Sequence, residues 1–175
     1  METDRIILRK WQKEDADVLV KNLNNEQMAN DLGTDFPYTY KNACDYIEDA
    51  IQHNKEKYAI VYKENNEVIG GCGLHIVGKL VSGNMWIASE YHGGGIGTEA
   101  SILLVEYCFK TLKMEKMENG FFDGNEASKK MQQKVGAVLS EDSDFVVLNG
   151  RTRIKKKAVI TKENFEKVLV SLRGE

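Results

Sequence analysis

The chain has 175 residues, 42% of them hydrophobic, which suits one compact domain with a true core and leaves little room for a second. Lys and Arg number 24 against 27 Asp and Glu, a net charge of −3, so the overall basic footprint of a nucleic-acid-binding protein is missing. No apolar run approaches the ~20 residues that span a bilayer, and the charged start Met1-Glu2-Thr3-Asp4-Arg5 lacks the core of a signal peptide. Three cysteines, Cys44, Cys72 and Cys108, are too few and too scattered for a disulfide framework or a metal knuckle. The expectation is a soluble, cytoplasmic protein with no metal, nucleic-acid or membrane partner, folded as a single domain over residues 1–175.

In chain order, Arg5-Ile6-Ile7-Leu8-Arg9 predicts a first strand, and Glu14-Asp15 opens a short helix through Ala16, Val18, Leu19 and Leu23, with acidic residues placed to suit the helix dipole. The stretch from Asn24-Asn25 to Gly33-Thr34-Asp35-Phe36-Pro37 is rich in breakers and reads as a loop able to reach over a site. Thr39 caps a helical pattern carrying Ala43, Tyr46, Ile47, Ala50 and Ile51. At Tyr58 the period changes to that of strands. Tyr58–Tyr62, a turn over 64–67 and Val68–Ile76 predict a β-hairpin, and the Gly78-Lys79 turn leads into a strand over 84–87.

There follows Tyr91-His92-Gly93-Gly94-Gly95-Ile96-Gly97-Thr98-Glu99-Ala100, a glycine cluster that runs into the apolar pattern Ile102, Leu103, Leu104, Val105, Tyr107, Cys108 and Phe109. Glycines permit positive φ and close approach of backbone to a ligand, and a helix start presents unpaired N–H groups, so the pair predicts an anion cradle. Beyond it, residues 117–122 read as a strand and 125–135 as a helix. Val138-Leu139, Phe145–Val147 and Ile154–Ile160 read as strands, with Asn149-Gly150 a hairpin turn, and Thr161 caps a last helix with Phe165, Val168, Leu169 and Leu172. The basic run Arg151–Lys157 reads as an edge or solvated strand face whose lysines discourage aggregation.

Two ligands compete for the cradle. Gly95-Ile96-Gly97-Thr98-Glu99-Ala100 formally fits the dinucleotide fingerprint, with Asp123 as a ribose partner, but an antiparallel meander precedes it where that fold has βαβ units. The other ligand enters through a resemblance. Residues Trp86 to Ala100 resemble the acetyl-CoA-binding segment of the GNAT superfamily of N-acetyltransferases, closest to its Rim-type branch, which acetylates ribosomal-protein N-termini. Its R/Q-x-x-G-x-G/A pattern falls on His92, Gly95 and Gly97, with His92 in place of Arg or Gln. Asn125-Glu126-Ala127-Ser128 with Lys134-Val135-Gly136 is similar to the family's second motif, Ala137 replacing an aromatic. Ile7-Leu8-Arg9, Glu14-Asp15-Ala16, Phe36–Thr39 and Ile160–Phe165 also fit.

The resemblance implies an α/β GNAT fold: a central mixed, largely antiparallel sheet with helices on both faces and a V-shaped slot after the Trp86 strand. It implies transfer of an acetyl group from acetyl-CoA to a primary amine, on a protein N-terminus or a small molecule, by direct attack in a ternary complex. A homodimer is compatible with it. The cosubstrate would be held by Trp86, Ile87, Ala88, His92, Gly93, Gly94, Gly95, Ile96, Gly97, Thr98 and Asn125, the last also a helix cap. Ser128 would serve the leaving thiolate. A Glu often found on the strand before the cradle is replaced by Ser82, so the proton acceptor is left among His75, Glu26, Asp31, Asp35 and a water path; histidine is the residue type suited to proton transfer near neutral pH. Acceptor pockets would come from residues 24–40 and 141–151. The missing carboxylate also leaves a second possibility open, a CoA-binding sensor or interaction module that has lost catalysis.

Overall fold

A computed structural model describes residues 1–53, 56–148 and 150–173. Strand β1 (Ile6–Arg9) is followed by a 3-10 turn at Lys13–Asp15 and by helices α1 (Ala16–Leu23), α2 (Glu26–Leu32) and α3 (Tyr40–Gln52). A meander of β2 (Lys57–Tyr62), β3 (Glu67–Val77) and β4 (Leu80–Ile87) leads to α4 (Ile96–Lys110). Then come β5 (Lys116–Phe122), α5 (Glu126–Lys134), β6 (Val138–Leu148), β7 (Arg151–Thr161) and α6 (Lys162–Arg173).

The expected single sheet is divided into two antiparallel sheets, β1-β2-β3-β4 and β5-β7-β6. Side-chain alternation explains the two layers of helix around them. Ile60, Cys72, Leu74, Val81 and Ile87 join Leu104, Val105 and Phe109 of α4, Met117 of β5 and Phe165 of α6 in one buried cluster, so a single core spans both sheets. On the other face Ala59 and Trp86 pack with Trp11, Leu19, Leu23, Ala43 and Ile47 under α1 and α3. Each fully buried aliphatic or aromatic side chain here contributes about 1.5–3 kcal/mol.

Caps follow the local chemistry. Thr39 Oγ1 accepts from the Asn42 N–H at 3.2 Å, while the Thr39 N–H donates back to Asn42 Oδ1 at 2.8 Å, which closes the first turn of α3. Thr161 Oγ1 accepts from the Asn164 N–H at 3.2 Å at the start of α6.

Four expectations need correction. Helix α2 lies inside the segment that reads as a loop; Asn25 Oδ1 caps it at 3.0 Å from the Met28 N–H, Gly33 ends it at φ +72°, and only Ala29 is buried, so no apolar stripe betrays it. Of the two readings of the basic run, the edge is corrected and the solvated face stands: β7 is central, flanked by β5 and β6, and Arg151, Lys155 and Lys157 are exposed on its solvated face. The two apolar pieces at 138–139 and 145–147 are one strand, β6, whose register shifts between Leu139 and Ser143. The first helix begins as a 3-10 turn at Lys13. Of the Asn149-Gly150 turn, Gly150 has φ +73°, and Asn149 lies outside the described residues.

Burial also sets the thiol chemistry: it pushes Cys72 up to about 12 and Cys108 up to about 11, while Cys44 is exposed. A thiol reagent applied to the native protein at neutral pH is therefore expected to modify Cys44 and spare Cys72 and Cys108, all of which react in denaturant. Mass spectrometry of the labelled peptides reads this, and native labelling of Cys72 or Cys108 would contradict the packing.

Candidate functional site

The site begins where β4 and β5 part. The strands lie side by side, with the position of a Cβ on Gly83 only 3.4 Å from Met117 Cε, yet no backbone ladder joins them. A side chain stands in the gap instead. Asn119 Oδ1 accepts from the Gly83 N–H at 2.7 Å, and Asn119 Nδ2 donates to Oε1 of the buried Gln132 on α5 at 3.0 Å. Strand peptides alternate in direction, so Met85 and Ile87 aim their N–H and C=O groups toward the same opening as Gly83. Trp86 and Ala88 turn the other way: the Ala88 N–H bonds Ile69 O at 2.7 Å, and both side chains are buried.

Beyond β4 a 3-10 turn at Ser89–Tyr91 delivers the chain to the glycines. Gly93 and Gly95 both have φ +81°, a conformation that costs other residues about 1–2 kcal/mol, and Gly95 is the residue at which α4 starts. The first helical bond runs from the Glu99 N–H to Gly95 O at 3.0 Å, so the amides of Ile96, Gly97 and Thr98 precede the ladder. Nothing approaches within 4 Å of where a side chain on Gly93 would sit, and a methyl on Gly97 would reach only Ile87 Cγ1 at 3.8 Å and Met85 Sδ at 3.9 Å. An open rim, free amides and the positive end of a 15-residue helix make a cradle for a multiply charged anion. His92 does not face that rim: its Nε2 donates to Ile87 O at 2.8 Å and braces the turn against the end of β4.

Helix α5 forms the far wall. Asn125 Oδ1 caps it at 3.0 Å from the Ser128 N–H. Ser128, Met131, Gln132 and Val135 share one helical face by spacing. Met131 Sδ lies 2.9 Å from Ser101 Oγ of α4, and Ser101 Oγ is 3.9 Å from Met85 Sδ of β4, so this face lines the opening between the strands. Ser128 is half-buried one turn before Met131, and its Oγ has no hydrogen bond among the described residues.

His75 stands directly across from Ser82 in the β3–β4 ladder, so the imidazole and the residue that replaces the expected Glu share a face of the sheet, the one that carries α1 and α3. The other candidate bases are elsewhere. Asp31 receives Arg153 at 3.3 Å, Asp35 Oδ2 accepts from Asn42 Nδ2 at 3.1 Å, and Glu26 lies 3.6 Å from Arg151. Glu26, Asn30, Asp35, Phe36 and Arg151 line a cleft of about 500 Å³ between α2 and the β6–β7 hairpin, which joins the two segments expected to build an acceptor pocket. Arg153 ties that cleft to the open end of β5: its guanidinium sits 3.9 Å above the Phe122 ring and donates to Asn30 O at 2.6 Å. Among the described residues no group of His, Cys, Asp and Glu is arranged to hold a metal ion, and no helix is long and apolar enough to cross a membrane.

Known proteins resemble this chain in sequence and in fold. Residues 5–138 match the family model of the acetyltransferase (GNAT) domain. The uncharacterized N-acetyltransferase p20 of Bacillus licheniformis is 28% identical over 125 residues, which is 66% of this chain and 69% of that protein. Among solved structures, a GNAT-family acetyltransferase from Bacillus anthracis superposes with a TM-score of 0.83 at 14% identity, covering 93% of this chain and 98% of its own. A spermidine N-acetyltransferase from Vibrio cholerae, solved in complex with CoA and spermine, gives 0.77 at 18% identity over 94% and 99%. The chain belongs to the GNAT family and is an acetyltransferase of that type.

Asn119, Gln132 and Met85 are the site residues that motif reading passes over. Asn119 left one signal, a poor strand former in the middle of Met117–Phe122; Gln132 left none. Replacing Asn119 with Ala leaves the Gly83 N–H and the Gln132 amide without partners inside the fold and is expected to cost about 2 kcal/mol in urea unfolding. A change below about 0.5 kcal/mol would show that the Asn119 bridge is not holding the strands.

Proposed function

We propose that residues 1–175 act as one GNAT domain that transfers an acetyl group from acetyl-CoA to a primary amine in a ternary complex. The observation that carries this reading is the pairing of an unzipped β4–β5 edge with the amide cradle at Gly93–Thr98. The family's cosubstrate is a thioester on an amide-bearing arm attached to a diphosphate, and the two features match its two halves. The diphosphate suits the amides of Gly93 to Thr98 and the start of α4. The arm suits the open peptide groups of Met85 and the outward N–H of Ile87, whose carbonyl His92 already occupies, and it would bond there as an added strand does. Trp86 and Ala88 support that edge from the core side, His92 braces its end at Ile87, and Asn125 faces the arm from the start of α5.

In this reading the amine attacks the thioester carbon, the C–S bond breaks, and the sulfur departs beside α5. Ser128 Oγ donates a hydrogen bond to it there. The amine proton passes on the α1–α3 side of the sheet, where His75 and Ser82 stand together, either to the imidazole or to water. With no carboxylate on β4 in this position, most of the acceleration comes from holding amine and thioester together. The protonated, buried thiols of Cys72 and Cys108 favour direct transfer over an acetyl-cysteine intermediate. The Rim-type branch, with a protein N-terminus as acceptor, rests on the resemblance of Phe36–Thr39 and Ile160–Phe165; a small-molecule amine is served equally by the Glu26–Asp35 cleft.

Thiol release from acetyl-CoA, followed across a panel of N-terminal peptides, polyamines and amino acids, tests the proposal. At least one amine is expected to support turnover. Ser128→Ala is expected to lower kcat roughly 10- to 100-fold with the acetyl-CoA KM little changed. CoA binding without turnover on any amine would instead mark a protein that has kept the cradle and lost catalysis. Calorimetry with Gly95→Ala is expected to show CoA affinity reduced about tenfold or more through the strained φ. Affinity within about twofold of wild type would refute the assigned loop geometry.

A further inference from the structure

The cradle does not stand alone. Arg5, the residue just before β1, reaches it from a distant part of the sequence: its Nη1 donates to Gly94 O at 3.0 Å and its Nε donates to Glu99 Oε2 at 2.8 Å, with Nη2 against the same carboxylate oxygen. The Thr3 hydroxyl donates to the other oxygen of Glu99. Arg5 is itself held, since Thr3 Oγ1 accepts from the Arg5 and Ile6 N–H groups at 3.2 and 3.1 Å and Arg5 O accepts from the Lys63 N–H at 2.8 Å.

Two consequences follow from elementary geometry and charge. In a trans peptide the C=O of one residue and the N–H of the next point in opposite directions. Holding Gly94 O toward Arg5 therefore turns the Gly95 N–H away from Arg5, toward the free rim of the loop. Glu99, meanwhile, lies in the first turn of α4, where its charge favours the helix but opposes any anion bound at the same terminus. A guanidinium that sets two N–H groups on one Glu99 oxygen offsets that charge without blocking the amides.

We infer that Arg5 is a positioning residue for the cosubstrate: it orients the Gly94–Gly95 peptide and cancels the Glu99 carboxylate, so that the start of α4 meets the CoA diphosphate as a positive surface. This rests on the acetyl-CoA reading above. Thr3 completes the arrangement from the carboxylate side, which makes the strand before the meander part of the binding apparatus.

Calorimetric titration of CoA into wild type, Arg5→Ala, Glu99→Gln and the double variant, each with a thermal melt, tests it. Arg5→Ala is expected to weaken CoA about tenfold. The double variant, which removes the unpaired carboxylate as well, is expected to recover about threefold or more of that loss, a rescue that a purely structural role would not produce. Arg5→Ala within about twofold of wild type, or a double variant no better than Arg5→Ala, overturns the inference. If Arg5→Ala does not fold, Arg5→Gln takes its place, with the same outcomes deciding. Wild-type protein that fails to bind CoA overturns the underlying reading, and this one with it; wild-type binding indifferent to position 5 overturns this one alone.

Discussion

Two strands that run side by side without a hydrogen-bond ladder leave peptide groups unpaired, a cost that folded proteins rarely accept inside a sheet. Strands β4 and β5 accept it. Asn119 satisfies the Gly83 N–H at the point where they meet, Gln132 satisfies Asn119, and from there the edges of Met85 and Ile87 open outward. The core still closes over the gap, because Leu104, Val105 and Phe109 of α4 pack against both sheets, so hydrophobic burial and not the ladder joins the halves. Everything assigned to the site depends on that division: the slot for an amide-bearing arm, the helix start at its mouth and the α5 face across from it.

The cradle shows the same economy of parts. In the proposed reading an anion is held by backbone and helix dipole, which no side chain needs to supply, and the glycines are required for shape. Side chains then work at one remove. His92 braces the end of β4 where the family's pattern has an Arg or Gln, and Arg5 with Thr3 occupies the carboxylate of Glu99. The catalytic half is built more sparsely. Ser128 offers a free hydroxyl, and the β4 position that would carry a carboxylate holds Ser82 with His75 as its cross-strand neighbour. The sequence names His75 as a substitute on the preceding strand, and the register set by the Gly78-Lys79 turn makes the two residues direct cross-strand partners.

Much of the fold was legible beforehand for physical reasons. Period-two patterns in β2 and β3, the Thr39 and Thr161 caps and the glycine-to-helix junction are local signals, and each appears where local chemistry places it. What escaped was decided by tertiary contacts. Helix α2 carries too few apolar residues to show a period, β7 is central because β5 and β6 both pair with it, and β6 is continuous because a bulge carries it past Glu141–Ser143. The candidate site divides likewise: Gly93, Gly95, Asn125 and Ser128 stand in local motifs, whereas Asn119, Gln132, Met85 and Arg5 come to it only through contacts with residues far away in the chain.

The central claim is that the start of α4 and the open edge of β4 form one continuous binding surface for the diphosphate and arm of acetyl-CoA. Amide hydrogen exchange with and without CoA tests it most directly, because it reads the backbone groups that are said to bind. The account predicts new protection at Gly93 to Thr98 together with Met85 and Ile87, with the β6–β7 hairpin unaffected by CoA alone. Protection confined to the cleft of Glu26 and Arg151, or CoA binding that leaves Met85 and Ile87 exchanging as before, would contradict it.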